Sequence, residues 1–249
     1  MTRTAFPIKI LFLFCIIPFL GYGQRPIKQV FDSLLKTQGQ VAEKTKEIES
    51  LLKKNAGKDP LVLAEMYYEY SKWNWSQAKN EAKSKEYARK EYTLRKKFNE
   101  DTLQPLLRRN LYNLGYLYHH ATLPDYQSAL AYFDTLISLT PQNDSRLGNA
   151  YRECGDIYDA LGDFQRALEN YQYSETLFKE LQRPDLQLKA LINISGTYAS
   201  KGDPLLLDDF LKNNQVITRS FGESLSETQK AMVLFNTAAM YNTTNQYDL

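Results

Sequence analysis

Cysteine and histidine are scarce in this chain, two of each in 249 residues. That leaves neither a disulfide framework nor a Cys/His metal cage to build. Phosphate loops are missing as well, because the 11 glycines stand singly at turns or at small packing positions. There is no His-Glu-x-x-His, no Cys-x-x-Cys and no Gly-x-Ser-x-Gly, so the zinc, redox and serine-hydrolase signatures do not apply. His119 and His120 are adjacent, and neighbours on a helix point about 100° apart, so they are not expected to share one ion. No catalytic residue, cofactor or metal is expected.

An excess of one charge is lacking too. The chain carries 31 Lys and Arg against 29 Asp and Glu. Two of the positive residues, Arg3 and Lys9, fall in a leader, and their removal leaves 29 of each sign. A neutral chain lacks the positive surplus that a nucleic-acid binder needs. Long hydrophobic runs are absent apart from Ile10 to Leu20, 11 residues. At about 1.5 Å per residue that run cannot cross a membrane core of roughly 30 Å, so no membrane span is expected.

The same run does fit a secretory signal over residues 1–23. Arg3 and Lys9 give the basic start, and Gly21 and Gly23 put small residues before a cleavage expected at Gln24. Cys15 follows Leu13 and Phe14 rather than small residues, which argues against a lipid anchor. The expectation is an exported bacterial protein, periplasmic or extracellular. Cleavage leaves Cys154 as the single cysteine, and its setting, Tyr151 to Gly155, reads as the inner face of a helix. A buried structural thiol follows.

What the chain does have is internal repetition. Four windows share one spacing of large apolar, apolar, small, tyrosine. They are Leu111, Leu114, Gly115, Tyr118; Tyr151, Cys154, Gly155, Tyr158; Leu191, Ile194, Ser195, Tyr198; and Leu234, Thr237, Ala238, Tyr241, where Thr237 departs from the pattern. Offsets of three, one and three keep each set on one side of a helix. The small residue admits a second helix at close range. That second helix is announced by Gly162-Asp163 and Gly202-Asp203-Pro204, a glycine stop followed by an aspartate cap. Its inner face carries Ala129 with Phe133, then Ala167 with Tyr171, and Leu207 with Leu211 in the third repeat.

The pattern resembles the tetratricopeptide repeat, large-x-x-Leu-Gly-x-x-Tyr, then Ala-x-x-x-Phe, then Pro. Leu111 to Pro141 matches every element, and Tyr151 to Leu181 all but the terminal proline. The small residues recur after 40, 40 and 43 positions, against about 34 in the minimal repeat. The resemblance implies an all-α fold, a right-handed α-α superhelix of antiparallel helix pairs. Around it the chain divides into a signal at 1–23, capping helices at 24–59, a degenerate repeat at 60–104 and repeats at 105–249, the last truncated. In the cap, helices over Ile27–Lys36 and Gln40–Lys54 turn Val41, Ile48, Leu51 and Leu52 inward. In the degenerate repeat Tyr67 replaces the small residue, and Trp73 and Trp75 fall in a long connection, either as rings covering the end of the core or as an aromatic contact site. By register, the small residue of the last repeat falls at position 250, one past Leu249. The chain thus reads as the N-terminal part of a longer protein.

In tetratricopeptide arrays the first helices of successive pairs line a peptide groove. Carried onto the matched windows, this implies Tyr112, Asn113, Tyr116 and His119 from one repeat, Asn149, Arg152, Asp156 and Asp159 from the next, and Asn193 from the third. Asn113, Asn193 and Asn236 share one register, which suits bonds either to a bound backbone or between repeats. The lysines of the known carboxylate clamp are not there, so a C-terminal carboxylate ligand is not expected. The implied role is a scaffold that binds a protein or peptide. Tyr112 through Tyr171 also resembles the N-terminal arrays of bacterial proteins ending in a caspase-like CHAT domain, or preceding a sensor histidine kinase. The rival expectation is the regulatory half of such an enzyme.

Overall fold

The computed structural model describes residues 27–37, 39–97 and 104–244. The leader with its cleavage site, and the turn expected at Asn245 to Tyr247, lie outside the described residues. Among those described, the chain forms eleven α-helices, two 3-10 turns and no strand. They are α1 (Ile27–Lys36), α2 (Val41–Asn55), α3 (Pro60–Ser76), α4 (Glu81–Lys97), α5 (Gln104–His119) and α6 (Tyr126–Leu139). There follow α7 (Ser145–Ala160), α8 (Phe164–Glu180), α9 (Pro184–Lys201), α10 (Leu207–Phe221) and α11 (Glu227–Thr244). Antiparallel pairs α3/α4, α5/α6, α7/α8 and α9/α10 stack in sequence, and the fold is the right-handed solenoid expected of tetratricopeptide-like repeats.

Aspartates set the helix starts. Asp59, Asp125, Asp144 and Asp163 each precede a helix and accept a hydrogen bond from a backbone N–H of its first turn, and Asp203 does the same for a 3-10 turn. These carboxylates satisfy donors that have no partner inside the helix. Gly162 and Gly202 end α7 and α9 with positive φ values of 75° and 61°, where a side chain would be strained.

Small residues sit where the pairs approach. A methyl group added at Gly115 would lie 2.6 Å from the Phe133 ring, and one at Gly155 would lie 2.5 Å from the Tyr171 ring. The ring of each second helix therefore fills the space left by the first. The third pair solves the contact differently: the Ser195 hydroxyl donates to Asn214 Oδ1 on α10 at 2.8 Å.

Four details depart from the sequence reading. Trp73 and Trp75 lie within α3, which runs six residues past Tyr70, and Trp73 is buried against Tyr70 at 5.7 Å between ring centres. Val41 is exposed at the first turn of α2, while Ile48 and Leu52 are buried. The 3-10 turn Pro204–Leu206 shifts the register of α10, so Phe210, Ile217 and Phe221 face inward and Leu211 faces out. On α11 the buried residues are Asn236 and Met240, and Leu234 is 69% exposed and Phe235 73%. The expected face packs only against a second helix of its own pair, and among the described residues none lies against it.

Candidate functional site

The first helices of the pairs meet along one side, α5 against α7, α7 against α9, and α9 against α11. Between α7, α9 and α11 they enclose a cleft of about 300 Å³, lined by Asp156, Asp159, Asn193 and Thr197 with Met232 and Asn236 from α11. Three of the groove residues expected from sequence, Asp156, Asp159 and Asn193, thus line one cavity.

The side chains there are mostly engaged with one another. Asp156 Oδ1 accepts from the Tyr171 hydroxyl at 2.7 Å and from Asn193 Nδ2 at 2.8 Å, and Oδ2 accepts from Arg152 Nη1 at 2.8 Å. Asp159 Oδ1 accepts from the Thr197 hydroxyl at 3.0 Å. Burial pushes the Asp156 carboxyl above its ordinary range, against the pull of Arg152 and Tyr171. Asn193 on α9 therefore bonds to α7, and Asn236 on α11 donates to the Ile192 carbonyl on α9 at 3.4 Å. The shared asparagine register serves contacts between repeats at these two positions. Asn113 makes no such contact between repeats: its Nδ2 is buried and meets no acceptor in the protein.

Deeper on the same side, the network centres on a residue outside the expected set. Glu153, 1% exposed, accepts at Oε1 from the Tyr112 hydroxyl at 3.2 Å and from Arg152 Nη2 at 2.5 Å. Its Oε2 lies 2.9 Å from His119 Nδ1 and 2.9 Å from His120 Nε2. Burial alone would raise this carboxyl, but the two histidines and the Arg152 charge outweigh it and hold it far below the usual carboxylate range. The two rings do converge, contrary to the expectation from helical geometry: His120, one residue past the end of α5, meets the same carboxylate oxygen as His119. Glu153 had one signal in the sequence: a charge between two inward positions, beside Cys154, must find buried partners. Cys154 itself is buried, and burial pushes its thiol up, away from nucleophilic character.

Tyr112 and Tyr116 stack at 6.5 Å, and Tyr116 also meets His120 at 4.2 Å and Trp75 of α3 at 6.1 Å. Trp75 thereby extends the aromatic wall into the preceding pair. Asn149 is half-buried on α7. Of the nine expected residues, Tyr112, His119, Arg152, Asp156 and Asn193 join one polar network through Glu153, Tyr116 belongs to the aromatic shoulder, Asp159 bonds separately to Thr197, and the α7–α9–α11 end opens as a cleft.

No family model and no curated protein matches the chain. Solved structures do share its fold. A signal transduction ATPase with numerous domains and a tetratricopeptide repeat sensor, from Pyrococcus horikoshii, superposes with a TM-score of 0.63 at 16% identity, over 89% of this chain and 35% of its own. The chain thus spans about a third of that neighbour's length. BtubC (BKLC) from P. vanneervenii gives 0.62 at 14% identity, over 90% of this chain and 86% of its own. The nearly identical TPR-like repeats of a putative kinesin light chain from Podosopora anserina give 0.58 at 13% identity, over 80% of this chain and 95% of their own. These superpositions show the tetratricopeptide-like fold.

Proposed function

We propose that the chain is an exported protein-interaction scaffold that holds a peptide or a partner's segment in the cleft between α7, α9 and α11. The observation that carries this reading is the cleft itself. It is a concave site of about 300 Å³ formed by three consecutive first helices, with a polar floor and Met232 at its rim. Two carboxylates, Asp156 and Asp159, line it, which favours a ligand that offers N–H donors or a cationic side chain and disfavours a carboxylate. Export rests on the leader at residues 1–23.

The test is a peptide-display selection followed by affinity measurements on variants. Met232→Lys and Ser200→Arg alter exposed positions lining the cleft. Both should weaken the enriched peptide by roughly 1–2 kcal/mol each, as expected of anchor contacts. Glu169→Lys, on the exposed surface of α8, should leave it unchanged. Failure to enrich any sequence, or loss of binding only with Glu169→Lys, overturns the proposal. Arg152 is unsuited to this test, because its two ion pairs hold α7 together internally.

A second reading is favoured by one comparison. The array of the P. horikoshii protein is described as a sensor within a much larger ATPase. By analogy, this chain would be the sensing part of a longer protein, with the CHAT-type or kinase-type effectors of the sequence resemblance as the candidates.

A further inference from the structure

We infer that His119, His120 and Glu153 form a binding site for one divalent transition-metal ion, of the kind Zn²⁺ or Co²⁺ occupies with two imidazoles and one carboxylate.

The three ligand atoms, His119 Nδ1, His120 Nε2 and Glu153 Oε2, lie within 4.8 Å of one another. Both nitrogens are 2.9 Å from the same oxygen. An ion bound at about 2.0–2.2 Å to nitrogen and carboxylate oxygen in a tetrahedral site holds its ligand atoms somewhat farther apart than that. Small outward rotations of the two rings supply the difference. His120 is 38% exposed at side-chain level, so an ion has a route in.

The carboxylate is already oriented for such a ligand. Oε1 is occupied by Arg152 and Tyr112, so the group cannot turn and Oε2 is left facing the two rings. Fixing a ligand through its outer partners is how metal sites hold their geometry. Charge favours the ion as well. With neutral imidazoles, Glu153 and Asp156 against Arg152 leave one net negative charge in the cluster. Each ring nitrogen that now donates to Oε2 must present a lone pair to the metal, and a neutral imidazole does this by moving its hydrogen to the other nitrogen. Three protein ligands leave a fourth position open to water, or to a donor from a partner seated on this side of the solenoid.

The experiment uses untagged protein and the metals alone. Zn²⁺ is titrated calorimetrically, and Co²⁺ is followed by its visible absorption. The expected result is one equivalent bound, tetrahedral Co²⁺ bands, and a raised melting temperature with Zn²⁺. His119→Ala and His120→Ala, shown to be folded by circular dichroism, should each weaken binding by more than about tenfold, the loss that even an outer partner of a ligand can cause. Cys154→Ala should bind like the parent. The inference is overturned if the parent takes up no Zn²⁺ at micromolar concentration, if several weak equivalents bind, or if the histidine variants bind as tightly as the parent. It is equally overturned if Cys154→Ala abolishes uptake. Because His120 is partly exposed and outside the helix, its variant keeps the test decisive even if His119→Ala does not fold.

Discussion

At the scale of single residues, the small positions decide how closely the helices of a pair approach. A Cβ at Gly115 would sit 2.6 Å from the fully buried Phe133 ring, closer than real Cβ contacts come, so the ring or the helix must shift. Replacing a helical glycine by alanine gains about 1 kcal/mol in helix propensity. Overpacking a core costs typically 1–3 kcal/mol, so Gly115→Ala and Gly155→Ala should destabilise by up to about 2 kcal/mol net. Gly196 is the control. Its nearest outside atom, Asn236 Nδ2, is 3.6 Å from the added Cβ, so Gly196→Ala should be neutral or stabilising by up to about 1 kcal/mol. Denaturant melts of the three variants check this, and a stabilised Gly155→Ala would mean the pair is looser than its geometry. These glycines were legible in the sequence because their spacing from tyrosine repeats. Glu153 carried only the hint of a charge beside Cys154, because its histidine partners lie 33 and 34 positions away along the chain and no local period encodes them.

At the scale of elements, caps and turns were readable and registers were not. The Gly-Asp signals marked the start of α8 and of the turn before α10, since a glycine stop and an aspartate cap are local chemistry. Asp163 accepts from the Arg166 N–H at 3.1 Å. Asp163→Ala should accordingly destabilise the chain, measured as a lower melting temperature. The register of α10 depends instead on three residues spent in a 3-10 turn, which leucine spacing does not reveal. The contact between α4 and α5 carries a polar core the sequence also hid. Glu91 on α4 is fully buried, with Arg95 Nε at 2.6 Å, Asn110 Nδ2 at 2.7 Å and Arg109 Nη2 at 3.6 Å. Burial pushes its carboxyl up to about 7, against the pull of Arg95, Arg109 and Asn110. Between the ordinary value of about 4.3 and about 7 the folded chain therefore holds a proton that the unfolded chain has released, and stability falls as pH rises through that window. Relative to Glu91→Gln, the parent should lose about 1–3 kcal/mol between pH 4.5 and pH 8. If the parent instead gains on the variant over that range, the ion pair with Arg95 outweighs burial.

At the scale of the whole molecule, the solenoid makes stability a local property. Each pair rests on its neighbours only, so an interior pair is held from both sides and a terminal element from one. The pair α7/α8 is the interior case: it packs against α6 on one side and α9 on the other. Its buried set includes Leu147, Ala150, Cys154 and Ile157 on α7 and Ala167, Tyr171, Leu177 and Phe178 on α8. The opposite case is α11, which buries only Asn236 and Met240 and rests mainly on α9. Its apolar Leu234 and Phe235 face outward. The architecture was legible from four repeated windows, but the sequence assigned Leu234 to a core that, among the described residues, has no second wall. Opening α11 costs little buried surface, so its amides should exchange by local opening. In native-state hydrogen exchange of the 249-residue chain, α7 and α8 should be the most protected helices and α11 among the least. A ligand seated in the cleft spans α7, α9 and α11, so the peptide enriched in selection should slow exchange in α11 more than in α5. If α11 exchanges as slowly as α7 without ligand, stability is not additive along the array. If ligand protects α5 and leaves α11 unchanged, the binding surface lies toward the aromatic shoulder of Trp75 and Tyr116 instead of the cleft.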